Sequence, residues 1–409
     1  MIKPMSHDFS ADGLTKQRTR KAWGQVLLLM LAVPMGIVSA WLVQAPSMES
    51  LAAKASGGAD TGALLRMVNR AAMYPEASAE LQKLLVSDAG AMQALAGLAA
   101  THEEALLCLI SLGRTQPQAL EYLRELEMDY SLALAVLQRV EADAIEKLLD
   151  YAEECANACF LLGVACENGC HVTQDWAQAA EWYGLALEGG YEPAWSYFAP
   201  AAYQAGLEEE RLSAAAAWFR EAAECGYAAA QCALGVCYAE CGEYSTAAYW
   251  YRMAAGQELS DAQYNLGWCY LYGEGVEQDS AEALRWFRLA AEQGDALAQY
   301  HVGRAYELGE GVAQDYAEAV RWYRWAAEQE EPAAQCALGH CYAQGHGVTQ
   351  SWTRAVHFYR LAAEQNRSEA QLALAHCYEQ GLGVTRDADQ ARHWRECAES
   401  ESQPQTNES

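Results

Sequence analysis

His340 and His376 stand 36 residues apart, and Glu307 and Glu379 lie one helical turn beyond Arg304 and His376. Two imidazoles with carboxylates nearby could make a metal pair or a general acid–base pair. The spacing argues against both. If 36 residues is one structural repeat, adjacent copies sit about 10 Å apart, too far to share one ion. The fourteen cysteines contain no CxxC string, and His171, beside Cys166 and Cys170, has no matching second ligand pair. Neither GxSxG nor HExxH occurs, and no nucleophile–His–acid set is recognisable. No catalytic, cofactor-binding or metal-ligating residue is therefore expected.

The same positions fit a binding surface. Val236, Trp268, Arg304, His340 and His376 each follow a mid-helix glycine or its alanine replacement. This column changes chemistry while its neighbours repeat, which packing alone does not require. Tyr264 and Tyr300 occupy a nearby column. Together with Glu307 and Glu379 these residues make a strip with an aromatic end and a polar, titratable end. The expected ligand is an extended peptide or a partner helix.

What positions the strip is a periodic scaffold. Tryptophan recurs at Trp182, Trp218, Trp250, Trp286, Trp322 and Trp394, with Phe358 filling the gap, in steps of 36 or 32 residues. A period in this range marks a repeat array. In the clearest unit the first helix is predicted from Ala262 to about Tyr272 and the second from about Ser280 to Gln293. Gly267, Gly303 and Gly339 fall in mid-helix, where glycine is unfavourable by about 1 kcal/mol, so close approach of the partner helix is expected. Gly273, Gly309, Gly345 and Gly381 suit left-handed caps. A second glycine and a valine plug follow, as in Gly275-Val276. The resulting GxGV string is not a phosphate loop, because no strand precedes it and no Lys-Ser/Thr follows. Asp279 with Glu282, and Asp315 with Glu318, predict capping boxes. Ala283, Trp286 and Ala290 are expected to face inward.

These strings resemble the Sel-one-like repeat, a relative of the tetratricopeptide repeat. The resemblance rests on Leu266-Gly267, Tyr270, the GxGV turn, Asp279, and Trp286-Phe287-Arg288 followed by Ala290-Ala291. It covers residues 156–398 in seven units, the second and third irregular: Ala199-Pro200 stands in the glycine region of one, and the other lacks four turn residues. The resemblance implies an α/α solenoid acting as an adaptor or scaffold, with the variable column facing a concave groove. Some bacterial relatives clamp consecutive helices with cysteines eight apart, and a penicillin-binding or β-lactamase-like activity has been attached to that branch. Here Cys225 and Cys232 are seven apart and the other units lack the pair, so that activity is not carried over. Cys225 and Cys232 remain the best-placed local disulfide candidates. Cys237, Cys269, Cys341 and Cys377 recur at one position and suit small buried apolar roles.

The chain carries 27 basic and 55 acidic residues, a net charge of -28. That excludes nucleic-acid binding through a basic face. Residues 23–43 are uncharged and as a helix would reach about 31 Å, the thickness of a bilayer core. Lys16, Arg18, Arg20 and Lys21 precede them, which predicts a single-pass anchor with the repeats outside the cytoplasm, periplasmic or extracellular. A cleaved signal segment is the competing reading. The expected organisation is a basic tail (1–22), the transmembrane helix (23–43), a linker (44–60), a degenerate helical region capping the solenoid (61–155), the repeats (156–398) and a disordered tail (399–409). The fold class is all-α. The expected function is a membrane-anchored protein-interaction scaffold without cofactor. The alternative is an exported enzyme acting on cell-wall or peptide substrates.

Overall fold

The computed structural model describes residues 47–401 apart from 59, 114, 115, 141 and 142. Among the described residues every regular element is helical. No described helix is long and apolar enough to cross a membrane. The anchor expected at 23–43, the basic tail before it and residues 402–409 lie outside the described residues.

Among the described residues eight α-helices precede the repeats: α1 (Met48–Ala55), α2 (Thr61–Ala71), α3 (Pro75–Ser87), α4 (Ala89–Ala99), α5 (Glu103–Gly113), α6 (Pro117–Arg124), α7 (Tyr130–Leu137) and α8 (Asp143–Ala152). Within the stretch expected to be a linker, Met48–Ala55 is thus helical. Ser47 caps α1, whose Leu51 and Ala55 are buried one turn apart. Pro75 and Pro117 open helices and Gly113 closes one, where each is best tolerated.

Seven helix pairs follow: α9 (Ala156–Asn168) with α10 (Trp176–Glu188), α11 (Trp195–Glu208) with α12 (Leu212–Glu224), α13 (Ala228–Glu240) with α14 (Tyr244–Ala255), α15 (Ser260–Tyr272) with α16 (Ser280–Glu292), α17 (Ala296–Leu308) with α18 (Tyr316–Glu328), α19 (Pro332–Gln344) with α20 (Trp352–Glu364), and α21 (Ser368–Gln380) with α22 (Ala388–Glu401). They form a solenoid of helical repeats. In sequence the chain divides into two compact units, one ending at Ala222 and the other beginning at Ala223.

The turn chemistry follows the sequence. Gly273 ends α15 in the left-handed region at φ 72°, and Gly275 repeats that conformation at φ 73°. A side chain on Gly275 would collide with the carbonyl of Tyr244 at the start of α14. Asp279 accepts the amides of Ala281 at 2.9 Å and Glu282 at 3.1 Å, capping α16. The expected box does not close. The Asp279 amide donates instead to the Tyr270 carbonyl at 2.9 Å, and Glu282 pairs with Arg285.

The tryptophans require a correction. In six of the seven pairs the ring that fills the pair belongs to the residue after the tryptophan or, once, after Phe358; in the last pair Arg395 stands there. Phe287, Tyr323 and Tyr359 are almost wholly buried, packed on Gly267, Gly303 and Gly339. Trp286 is only partly buried and packs on a cluster containing Tyr251 and Ala255 of the preceding pair. Tryptophan therefore joins one repeat to the next, while its neighbour fills the repeat itself.

Two further ladders recur, the arginine–tyrosine one joining consecutive pairs and the glutamine one closing each pair on itself. Arg252, Arg288, Arg324 and Arg360 donate to the hydroxyls of Tyr270, Tyr306, Tyr342 and Tyr378 at 2.8–3.1 Å. Gln257, Gln293, Gln329 and Gln365 donate to the side-chain oxygens of Gln231, Gln263, Gln299 and Gln335 at 2.9–3.0 Å. Gln299 in turn donates to the Ala291 carbonyl. These bonds satisfy amides that burial would otherwise leave costly. None of the cysteines is in a disulfide. Cys232 lies in the core and accepts from Asn265, and the bridge expected between it and Cys225 is not formed.

Candidate partner-binding strip

The strip residues come from the first helices of consecutive repeats. Tyr264, Trp268 and Tyr272 follow one another by single turns on α15. The Trp268 and Tyr272 rings lie 4.6 Å apart, with Tyr272 47 % exposed. Arg304, half-buried on α17, hydrogen-bonds the Tyr272 hydroxyl. Tyr300 precedes Arg304 by one turn and packs on Tyr323. Tyr264 is buried and supports the strip from beneath, its ring 5.7 Å from that of His301.

His301 is the hub of this aromatic end, and no motif or spacing along the chain singles it out. Its ring stacks on Phe287 at 4.9 Å and meets Trp268 edge-on at 5.5 Å. The Tyr264 hydroxyl lies 3.4 Å from its Nε2. Burial, reinforced by the charge of Arg304, pushes the imidazole down to about 3, so it is neutral at physiological pH.

The polar end is already engaged within the protein. The Tyr323 hydroxyl donates to Glu307 at 2.5 Å, and Arg395 pairs with Glu379 at 2.5 Å. Both carboxylates therefore tie helices together. His340 touches the Tyr359 hydroxyl through Nδ1 at 3.0 Å. Its Nε2 lies 3.6 Å from the Cys336 sulfur and 3.4 Å from Glu369. His376 is exposed, and it lines one surface cavity of about 400 Å³ together with His340. Cys336 and Glu369 do not stand out in the sequence. The available signal is Cys336 four residues before His340 on one helix face. Glu369 is reached only across the join between two repeats.

The Sel1 repeat model matches residues 156–191, 199–227, 260–295, 296–330, 332–366 and 368–400. A Sel1 repeat protein from Oxalobacter formigenes, known as a crystal structure, is 30% identical over 76% of this chain and 87% of its own, with a TM-score of 0.51. The crystal structure of c5321, described as a protective antigen present in uropathogenic Escherichia coli strains and displaying an SLR fold, is 24% identical over 87% of this chain and 91% of its own, with a TM-score of 0.49. No curated protein matches the chain. The fold is thus that of a repeat solenoid of helical hairpins.

The chain belongs to the Sel1 repeat family. Six repeats match, where the tryptophan spacing predicts seven. The stretch between the second and third matches still forms the pair α13 and α14, across a turn shortened to residues 241–243. Sel1 repeat proteins are in general non-enzymatic scaffolds, and no catalytic family is indicated for this chain. A protein-interaction role is consistent with such a solenoid.

Proposed function

We propose that this protein is a membrane-anchored scaffold that grips a peptide or partner protein along the strip from Trp268 to His376. The observation that carries the reading is the aromatic–guanidinium patch. The Trp268 and Tyr272 rings meet at a tilt beside Arg304, and much of Tyr272 is open to solvent. Aromatic and arginine side chains held in place by neighbours are the usual anchors of protein recognition. The patch suits a segment that offers an apolar side chain beside a carboxylate. The anchor is the uncharged stretch 23–43, and the basic residues before it support a placement of the repeats outside the cytoplasm.

The experiment is cross-linking and capture with the full-length chain in its native membranes. The Trp268→Ala, Arg304→Ala double variant is compared with the parent, helicity being checked by circular dichroism. Specific capture that disappears in the variant supports the reading. Capture that is unchanged refutes the strip. Release of the full-length chain by a carbonate wash refutes the anchor.

A further inference from the structure

A second site lies where α19 meets α21, and it goes beyond the scaffold reading. Cys336 and His340 are four residues apart on α19, and Glu369 reaches them from the first turn of α21. The Nε2 of His340 is 3.6 Å from the Cys336 sulfur and 3.4 Å from one Glu369 oxygen. All three donor atoms lie within 4.8 Å of one another. A tetrahedral zinc ion with its ordinary bond lengths sets its sulfur and nitrogen ligands about 3.5 Å apart, and its nitrogen and oxygen ligands about 3.3 Å apart. The separations present match those two edges.

The atoms that do not face this point are held elsewhere. The Nδ1 of His340 meets the Tyr359 hydroxyl at 3.0 Å. The second Glu369 oxygen accepts from Arg367 at 3.3 Å. Outer partners of this kind fix the orientation of metal ligands. Cys336 is nearly fully buried, whereas the cavity of about 400 Å³ bordered by His340, Glu369 and His376 gives a path inward. The arrangement is confined to one repeat. The pairs equivalent to Cys336 and His340 are Cys232 and Val236, Tyr264 and Trp268, Tyr300 and Arg304, and Leu372 and His376. A periodic packing requirement therefore does not account for it.

We propose that Cys336, His340 and Glu369 bind one divalent ion of the zinc class, with the fourth position open to water or to a donor group of a partner. Thiolate, imidazole and carboxylate together select zinc, cobalt or nickel over magnesium and calcium. The ion replaces the thiol proton of Cys336, which is released on binding.

The test uses the full-length, reduced, metal-stripped chain in detergent, titrated with Co²⁺ and back-titrated with Zn²⁺. The expected result is one equivalent of cobalt with intense visible bands of tetrahedral geometry and a thiolate charge-transfer band, all lost on adding zinc. Cys336→Leu and His340→Val place residues that other repeats carry at the same positions, and each abolishes the bands. Cys341→Ala keeps them. Glu369→Gln weakens binding by at least about tenfold. Independently of any variant, X-ray absorption on the zinc-loaded parent chain shows a single sulfur at about 2.3 Å among nitrogen and oxygen neighbours. Absence of a thiolate band in the parent, bands that survive Cys336→Leu, or a shell with no sulfur or with several sulfurs overturns the proposal.

Discussion

Gly303 lies against the ring of Tyr323. A Cβ built on the glycine would stand 2.6 Å from the ring and 3.2 Å from the Ala319 carbonyl. The residue 20 positions after the mid-helix glycine is aromatic in this repeat and in its neighbours, at Phe287 and Tyr359. In the last repeat it is Arg395, and there Ala375 takes the place of glycine. The glycine therefore answers to a ring, and where the ring is missing a methyl group is accommodated.

Gly303→Ala should destabilise the protein although alanine is the better helix former. Overpacking of about 1–3 kcal/mol exceeds the roughly 1 kcal/mol of helix propensity gained. Chemical denaturation should show a lower midpoint. A higher midpoint would mean that the Tyr323 ring can move aside.

Tyrosines at one repeat position should differ in what their hydroxyls contribute. Tyr323 donates to the half-buried Glu307, so Tyr323→Phe should lower stability by about 1.5–3 kcal/mol, the range for a bond to a charged group. The Tyr251 hydroxyl is buried without a hydrogen-bond partner, so Tyr251→Phe should be neutral or stabilising. Paired denaturation curves decide the matter, and equal losses would refute the distinction.

The buried His301 should make stability depend on pH in a defined direction. Its folded value, about 3, lies below the ordinary value of 6.5, so between these limits the unfolded chain binds the extra proton. The contribution is present above pH 6.5 and is lost as pH falls toward 3, at up to about 1.4 kcal/mol per pH unit. His301→Asn introduces the residue type that the preceding repeat carries at the equivalent position, Asn265, and should flatten that part of the curve. An unchanged slope would show that other groups dominate it.

The amide ladder should behave as a coupled pair. Gln299→Ala and Gln329→Ala each remove one end of a 2.9 Å bond. In a double-mutant cycle the two should couple by about 0.5–1.5 kcal/mol, because the second substitution removes a group that the first has already left unpaired. Strict additivity would remove the ladder from the account of how the two helices of a repeat are held together.

The repeat frame was legible in the sequence where one residue type has one physical use. Gly273 caps a helix, Asp279 starts the next, and Gly267 admits a neighbour, each at its expected place. The tryptophans misled because their period is that of the join between repeats. The buried residue beside them is tyrosine in some repeats and phenylalanine in others, with Arg395 in the last, and so makes a weaker signal. Glu282 misled because a carboxylate at that position serves an arginine one turn on as readily as a backbone amide. At the candidate sites, single turns such as Tyr264–Trp268–Tyr272 could be read from spacing. The contact of Glu369 with His340, and the rings around His301, arise between repeats, where spacing along one helix is silent.

The chain of amides from Gln231 to Gln365 bears on how such a protein can change over generations. Each segment grips the one before it with the same atoms: Gln263 and Gln299, 36 residues apart, donate to the carbonyls of Ala255 and Ala291 in the preceding helix pair. Losing or copying a stretch of that length would leave the seam chemically as it was. The array can thus lengthen or shorten by whole cassettes with its seams unchanged.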